Sequence, residues 1–125
     1  MTYTFSTTSR IVSKKDGQVI ARSRSGKPFI IPNADARACE TLLALKFRKA
    51  VPKKLGKARV SLTVRYRGKG DLDNACSTIM DALETSGRLD NDGQVDELHV
   101  YRTQRKTGGC DVEVEVLLRS GDNDG

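Results

Sequence analysis

Ten residues in the middle of the chain constrain its fold more than any others. Ala58, Val60, Leu62, Val64 and Tyr66 alternate with Arg59, Ser61, Thr63, Arg65 and Arg67, the period-two pattern of a strand with one apolar face. A strand of this kind persists only in a sheet whose apolar face is covered. Two helical patterns supply the cover. Upstream, Ala36, Cys39, Leu43, Phe47 and Ala50 step by three and four, which predicts a helix capped by Asn33 or Asp35 and stopped by Pro52. Downstream, Leu72, Ala75, Ile79 and Leu83 share one face of a second helix at about residues 74–84.

The remaining segments read as shorter strands. Residues 2–5 form one. Ile11-Val12 and Val19-Ile20 flank Lys14-Lys15-Asp16-Gly17, a hairpin turn because Asp-Gly supplies positive φ. Residues 29–31 make a third short strand, closed by Pro32. Residues 95–105 and 111–118 read as a closing hairpin turning at 106–109, with Val112, Val114, Val116 and Leu118 on its core face. The expected fold class is α/β (α+β): a single small domain over residues 1–119, a mixed β-sheet with two main helices, order β-β-β-α-β-α-β-β. Residues 120–125 are expected to be a disordered tail.

A 125-residue chain is one domain by length and buries about two-thirds of its unfolded surface, so it needs no disulfides. Its three cysteines, Cys39, Cys76 and Cys110, are odd in number and lack a Cys-x-x-Cys pair. Each reads as a small buried hydrophobe, and their wide spread argues against a zinc site with His99. No apolar run approaches the ~18 residues of a membrane span, and the N-terminus MTYTFSTTSR lacks the features of a signal peptide. A soluble, cytoplasmic protein with no membrane association is expected.

Charge is distributed unevenly. Residues 1–70 hold 17 Lys and Arg against 3 Asp and Glu, a net of +14, whereas residues 71–125 hold 5 against 13, a net of −8. The basic half points to a polyanionic partner. Lys46, Arg48, Lys49, Lys53 and Lys54 cluster at and after the first helix, and Arg65, Arg67 and Lys69 lead toward the acidic half. Taken alone, such clusters are solubilising surface charge. At this density they suggest phosphate contacts, which give salt-dependent affinity with little sequence preference. Six aromatic residues and no Trp make a base-stacking platform for single strands less apt. His99 reads as a sheet-surface residue.

The acidic half begins with Asp71-Leu72-Asp73-Asn74, where the long strand gives way to the second helix. One reading is plain: Asp73 caps the helix and Asp71 is a solvated turn residue. A second reading keeps residues 65–73 extended. Arg65, Arg67, Lys69, Asp71 and Asp73 then share a face, and two neighbouring carboxylates favour a bound cation. Mg²⁺ suits such a pair, since it takes oxygen ligands and keeps its waters. Further on lies Asp90-Asn91-Asp92-Gly93-Gln94-Val95, which is turn chemistry. An EF-hand register there fails, with Arg88 and His99 at the first and twelfth positions. If the strand, helix and loop bring Asp92 beside Asp71 and Asp73, three carboxylates could bind one or two Mg²⁺ ions, as phosphodiester hydrolysis uses.

DLDN at 71–74, Asp81-Ala82-Leu83, Gly87 and Asp92-x-Gln94-Val95 together resemble the RusA family of Holliday-junction resolvases. The resemblance is specific over residues 69–100. It implies an Mg²⁺-dependent structure-specific endodeoxyribonuclease with no small-molecule cofactor. The expected enzyme is a homodimer of α/β protomers that cuts four-way DNA junctions by paired symmetric nicks, in recombination and repair and often from a prophage. The family's catalytic, metal-binding acids fall on Asp71, Asp73 and Asp92, with Asn74 and Asp90 supporting. Two positions depart from the family pattern: Asn91 replaces an acidic residue, and Ser77 replaces a Lys one helical turn after the second Asp. A Lys at 77 would stabilise transition-state charge, a part that Lys69 or Arg67 could take over. Without one, the alternative is a junction- or DNA-binding protein with a degenerate site.

Overall fold

A computed structural model describes residues 1–12, 19–22, 26, 28–31 and 34–117, with backbone alone at 19–22, 28–31 and 92. In chain order the elements are β1 (Thr2–Thr7), β2 (Val19–Arg22), β3 (Pro28–Ile31), α1 (Ala34–Ala50), β4 (Arg59–Arg67) and α2 (Leu72–Ser86). A single 3-10 turn (Asp92–Gln94), β5 (Val95–Gln104) and β6 (Cys110–Leu117) follow. The expected order of strands and helices holds. The turn at 14–17, the Asn33 cap, Pro32, Leu118 and the expected tail at 120–125 lie outside the described residues.

The alternating strand is second from one edge of a four-stranded sheet ordered β1-β6-β4-β5. β4 runs parallel to β5 and antiparallel to β6, and β1 pairs antiparallel with β6. β4 carries the strongest apolar face, and flanking it on both sides is what buries it. Val60, Leu62 and Val64 are fully buried, and even Ser61 and Thr63 on its polar face are covered by their neighbours. The core closes where Leu43 and Phe47 of α1 and Ile79 and Leu83 of α2 meet that face, joined by Val112 and Val114 of β6. Each such side chain contributes about 1.5–3 kcal/mol by leaving water. Phe5 of β1 meets Phe47 edge-to-face at 4.8 Å, the favoured aromatic geometry. All three cysteines are buried thiols.

Two expected pairings are corrected. β5 and β6 do not form a hairpin, because β4 inserts between them and pairs with both. The link at residues 105–109 passes over the end of β4, where the Arg67 amide donates to the Gly109 carbonyl at 2.9 Å. Likewise Val19 and Ile20 pair with Ile31 and Ile30 of β3, in a separate two-stranded sheet, while Ile11 and Val12 belong to no strand.

The register also shows where the acidic half goes. Glu97, Glu113, Glu115 and Asp111 fall opposite Ser61, Thr63 and Arg65, so they occupy the sheet face turned away from the helices. Asp111 is held below the usual carboxylate range by a hydrogen bond from Ser6 and by the Arg67 and Arg65 guanidinium groups. Acid in β5 and β6 is therefore largely the polar face of the sheet. Among the described residues, no helix is long and apolar enough to cross a membrane.

Candidate active site

β4 ends at Arg67, and the chain must swing into α2 within four residues. Gly68 is the pivot, at φ +143°, where a Cβ would stand 2.7 Å from the Tyr66 hydroxyl; glycine alone fits both demands. Arg102 of β5 holds the turn. Its guanidinium donates to the Gly68 carbonyl and, at 2.7 Å, to the Gly70 carbonyl, and it lies 5.5 Å from the Tyr66 ring centre. The Gly68 amide donates to the Gln104 carbonyl at 3.0 Å. The approach to Asp71 is thus fastened to the C-terminal end of β5.

Asp71 takes the N-cap position of α2 in an extended conformation, and its main-chain carbonyl accepts the Ala75 amide at 3.1 Å. Its carboxylate makes no capping hydrogen bond, although a capping Asp ordinarily gives that oxygen to the helix amides. Asp73 follows in the first turn, and both side chains are exposed. The extended run expected through residue 73 therefore stops earlier, because the helix begins at Leu72. Asp71 and Asp73 are gathered by a helix start rather than by strand parity. The helix dipole favours negative charge there. Leu72 packs against the core, and Asn74 is half-buried, its main-chain carbonyl accepting the Thr78 hydroxyl. Burial, and then the charge of Asp73, push the Cys76 thiol up, so it stays protonated beside the carboxylates.

Asp92 does not lie at this end of the molecule. Val95, three residues after it, pairs with Val60 at the start of β4, whereas Gln104 pairs with Arg67 at its end. Seven residues at about 3.3 Å each put about 23 Å between those levels. Gln94 fixes the Asp92 turn where it is. This buried side chain donates from Nε2 to the Gly56 and Ala58 carbonyls at 2.7 and 2.8 Å, and its Oε1 accepts the Asn91 amide at 2.9 Å. Asp90 is exposed in the same loop.

The cations divide between the two ends. Arg67 is occupied: it donates to Asp111 and to the Thr7 carbonyl, both at 2.9 Å. Arg65 is exposed and lies 5.9 Å from the Tyr101 ring centre. Lys69 is exposed beside a cleft of about 320 Å³, where Arg10, Arg67, Arg105 and Lys106 also contribute and no lining residue is acidic. Lys46, Arg48, Lys49, Lys53 and Lys54 are at the opposite end, since Arg48 Nε donates to the Ser86 carbonyl at the end of α2 at 3.0 Å.

Sequence patterns missed Arg10, Arg105 and Lys106, which only the fold brings to Lys69, and the fastening roles of Arg102 and Gln94. No local signal marks Arg102. Gln94 stands within the Asp-x-Gln-Val motif, so its presence was legible but its bonds were not.

Exposed carboxylates at a helix start beside a cationic cleft are the parts with which metal-dependent nucleases work. A family model described as Endodeoxyribonuclease RusA matches residues 31–116, well over half the chain. The chain belongs to the RusA endodeoxyribonuclease family. No curated protein sequence matches it.

Two carboxylates with open coordination suit Mg²⁺, which commonly binds through one or two such groups and retains water. Among the described residues, no three His, Cys, Asp or Glu side chains gather into a group able to hold a metal.

Proposed function

We propose that this protein is an Mg²⁺-dependent, structure-specific endodeoxyribonuclease of the cytoplasm. It resolves four-way DNA junctions by paired symmetric nicks and acts as a homodimer in DNA recombination and repair. The observation that carries this reading is the Asp71 carboxylate, which leaves its capping duty undone next to an all-cationic cleft in a chain of this family.

Asp71, Asp73 and Asp92 would hold the metal. When bound, Mg²⁺ supplies positive charge at the phosphate and lowers the pKa of water. Everything else falls to the chain. Lys69, Arg10, Arg105 and Lys106 bind backbone phosphates and hold the duplex against the start of α2. Arg102 keeps the turn rigid, so the carboxylates meet the phosphate without reorganising. Asn74 orients the first helical turn. A two-fold dimer matches a junction with two-fold symmetry and pairs the nicks.

A second reading rests on Ser77. It is exposed on α2 and brings no cation to a scissile phosphate, which favours a junction-binding protein that does not cut. Asp73→Asn separates the two readings. In a nuclease it abolishes cleavage and retains or strengthens junction binding, because it removes negative charge beside DNA. A wild-type protein that binds junctions tightly yet yields no product with Mg²⁺ supports the second reading. Equal cleavage by Asp73→Asn and wild type refutes the site.

A further inference from the structure

We propose that each catalytic site is shared between two copies of this chain, with Asp71 and Asp73 from one protomer and Asp92 from its partner. The inference rests on the site reading above and deepens it.

The first observation is distance. Within one protomer the Asp92 turn and the Asp71 turn lie at opposite ends of β4 and β5, separated by about 23 Å along the strands. No side-chain rotation spans that gap. Neither end can drift toward the other, since Gln94 ties one to residues 56 and 58 and Arg102 ties the other to β5.

The second observation is the free edge of β5. It is an edge strand of ten residues, and among the described residues nothing pairs with its outer side. Long unpaired edges are normally blunted by Lys, Pro or brevity, and residues 95–104 contain neither Lys nor Pro. The strand instead exposes Leu98, at 45%, and Tyr101, at 51%. An uncovered ladder bearing apolar side chains calls for a strand to pair with.

The third observation identifies that strand as a second β5. Charge along the segment is polar: Asp96 and Glu97 open it, while Arg102, Arg105 and Lys106 close it. An antiparallel pair of copies sets each acidic start against the other's basic end. A parallel pair sets like against like and is disfavoured.

Antiparallel pairing near His99 and Val100 has a geometric consequence. It places the start of one β5 beside the end of the other, at about 5 Å per strand crossed. The partner's Asp92 turn then stands beside the turn that Arg102 holds, which leads to Asp71. The same step carries the partner's Lys53 and Lys54 toward the Lys69 cleft and joins two cationic patches that one protomer keeps apart. Two such sites form, related by the two-fold axis.

Subunit mixing tests this. Asp73→Asn and Asp92→Asn are each expected to lack junction cleavage as homodimers. After exchange, half the dimers are mixed and each has one intact shared site, so about one quarter of the wild-type sites return, and they nick one strand rather than two. A readout independent of activity accompanies it. Asp73→Cys and Asp92→Cys chains, mixed and treated with a short bis-maleimide, are expected to give a covalent dimer on a denaturing gel that neither variant gives alone. The native cysteines are buried and stay silent.

Absence of both recovery and cross-link, with exchange shown by co-purification of differently tagged chains, overturns the shared site and leaves the nuclease reading standing. A chain that cuts junctions as a monomer also overturns it. Full cleavage by either single variant overturns the underlying site reading instead.

Discussion

Gln94→Ala tests how the Asp92 turn is held. The side chain is 5% exposed, and its amide makes three hydrogen bonds with main-chain groups, at 2.7, 2.8 and 2.9 Å. Truncation leaves two carbonyls and one amide without partners. At about 1 kcal/mol for each neutral bond lost, the cost is about 3 kcal/mol before any water enters. For a chain of this length that corresponds to about 10 °C in Tm. Urea unfolding followed by circular dichroism measures it directly. Gln94→Glu is the informative partner, because it keeps the acceptor for the Asn91 amide but turns a donor toward two carbonyls into a carboxylate; it should cost more than Ala. Junction cleavage should fall in both variants further than folding alone explains, because the turn carrying Asp92 is no longer fixed. A loss under about 0.5 kcal/mol for Gln94→Ala, the range of an ordinary surface change, would refute the reasoning.

Three further outcomes follow from the geometry. Gly109→Ala places a Cβ 2.0 Å from the Thr7 carbonyl oxygen at φ +103°. It should cost upwards of about 2 kcal/mol, read as a lower urea midpoint with an unchanged slope. Arg102→Leu removes the donors that hold the Gly68 and Gly70 carbonyls; cleavage should fall by about 10- to 100-fold through misplacement, while junction affinity in gel-shift assays changes little. The Asp111 carboxyl is depressed below its ordinary value of 3.8 by Ser6 and Arg67. Its contribution to stability is complete above that value and lost as pH falls through the depressed one, so Asp111→Asn should flatten stability-versus-pH curves at the acid end.

The elements most legible in the sequence are those with strong periodicity. β4 and both helices follow from apolar spacing, since burial on one face is what selects that spacing. Pairing was less legible. Residues 95–105 and 111–118 look like a hairpin because the five residues between them suit a turn, and nothing local records that β4 occupies the gap. The choice is made by the buried face of β4, which is satisfied only with a neighbour on each side. The start of α2 was misread for a related reason: strand parity and helix capping both fit Asp71-Leu72-Asp73, and the Gly68 pivot with the Arg102 clamp decides between them. The candidate acids themselves were legible as a motif. Their distribution between two ends of the protomer was not, because it depends on β4 and β5 being parallel.

The most direct test of the account is cleavage of a synthetic four-way DNA junction, with and without Mg²⁺, beside a linear duplex of equal length. The account predicts symmetric paired nicks in the junction alone and only with Mg²⁺. A tight, salt-sensitive complex without product, or equal cutting of the linear duplex, would contradict it.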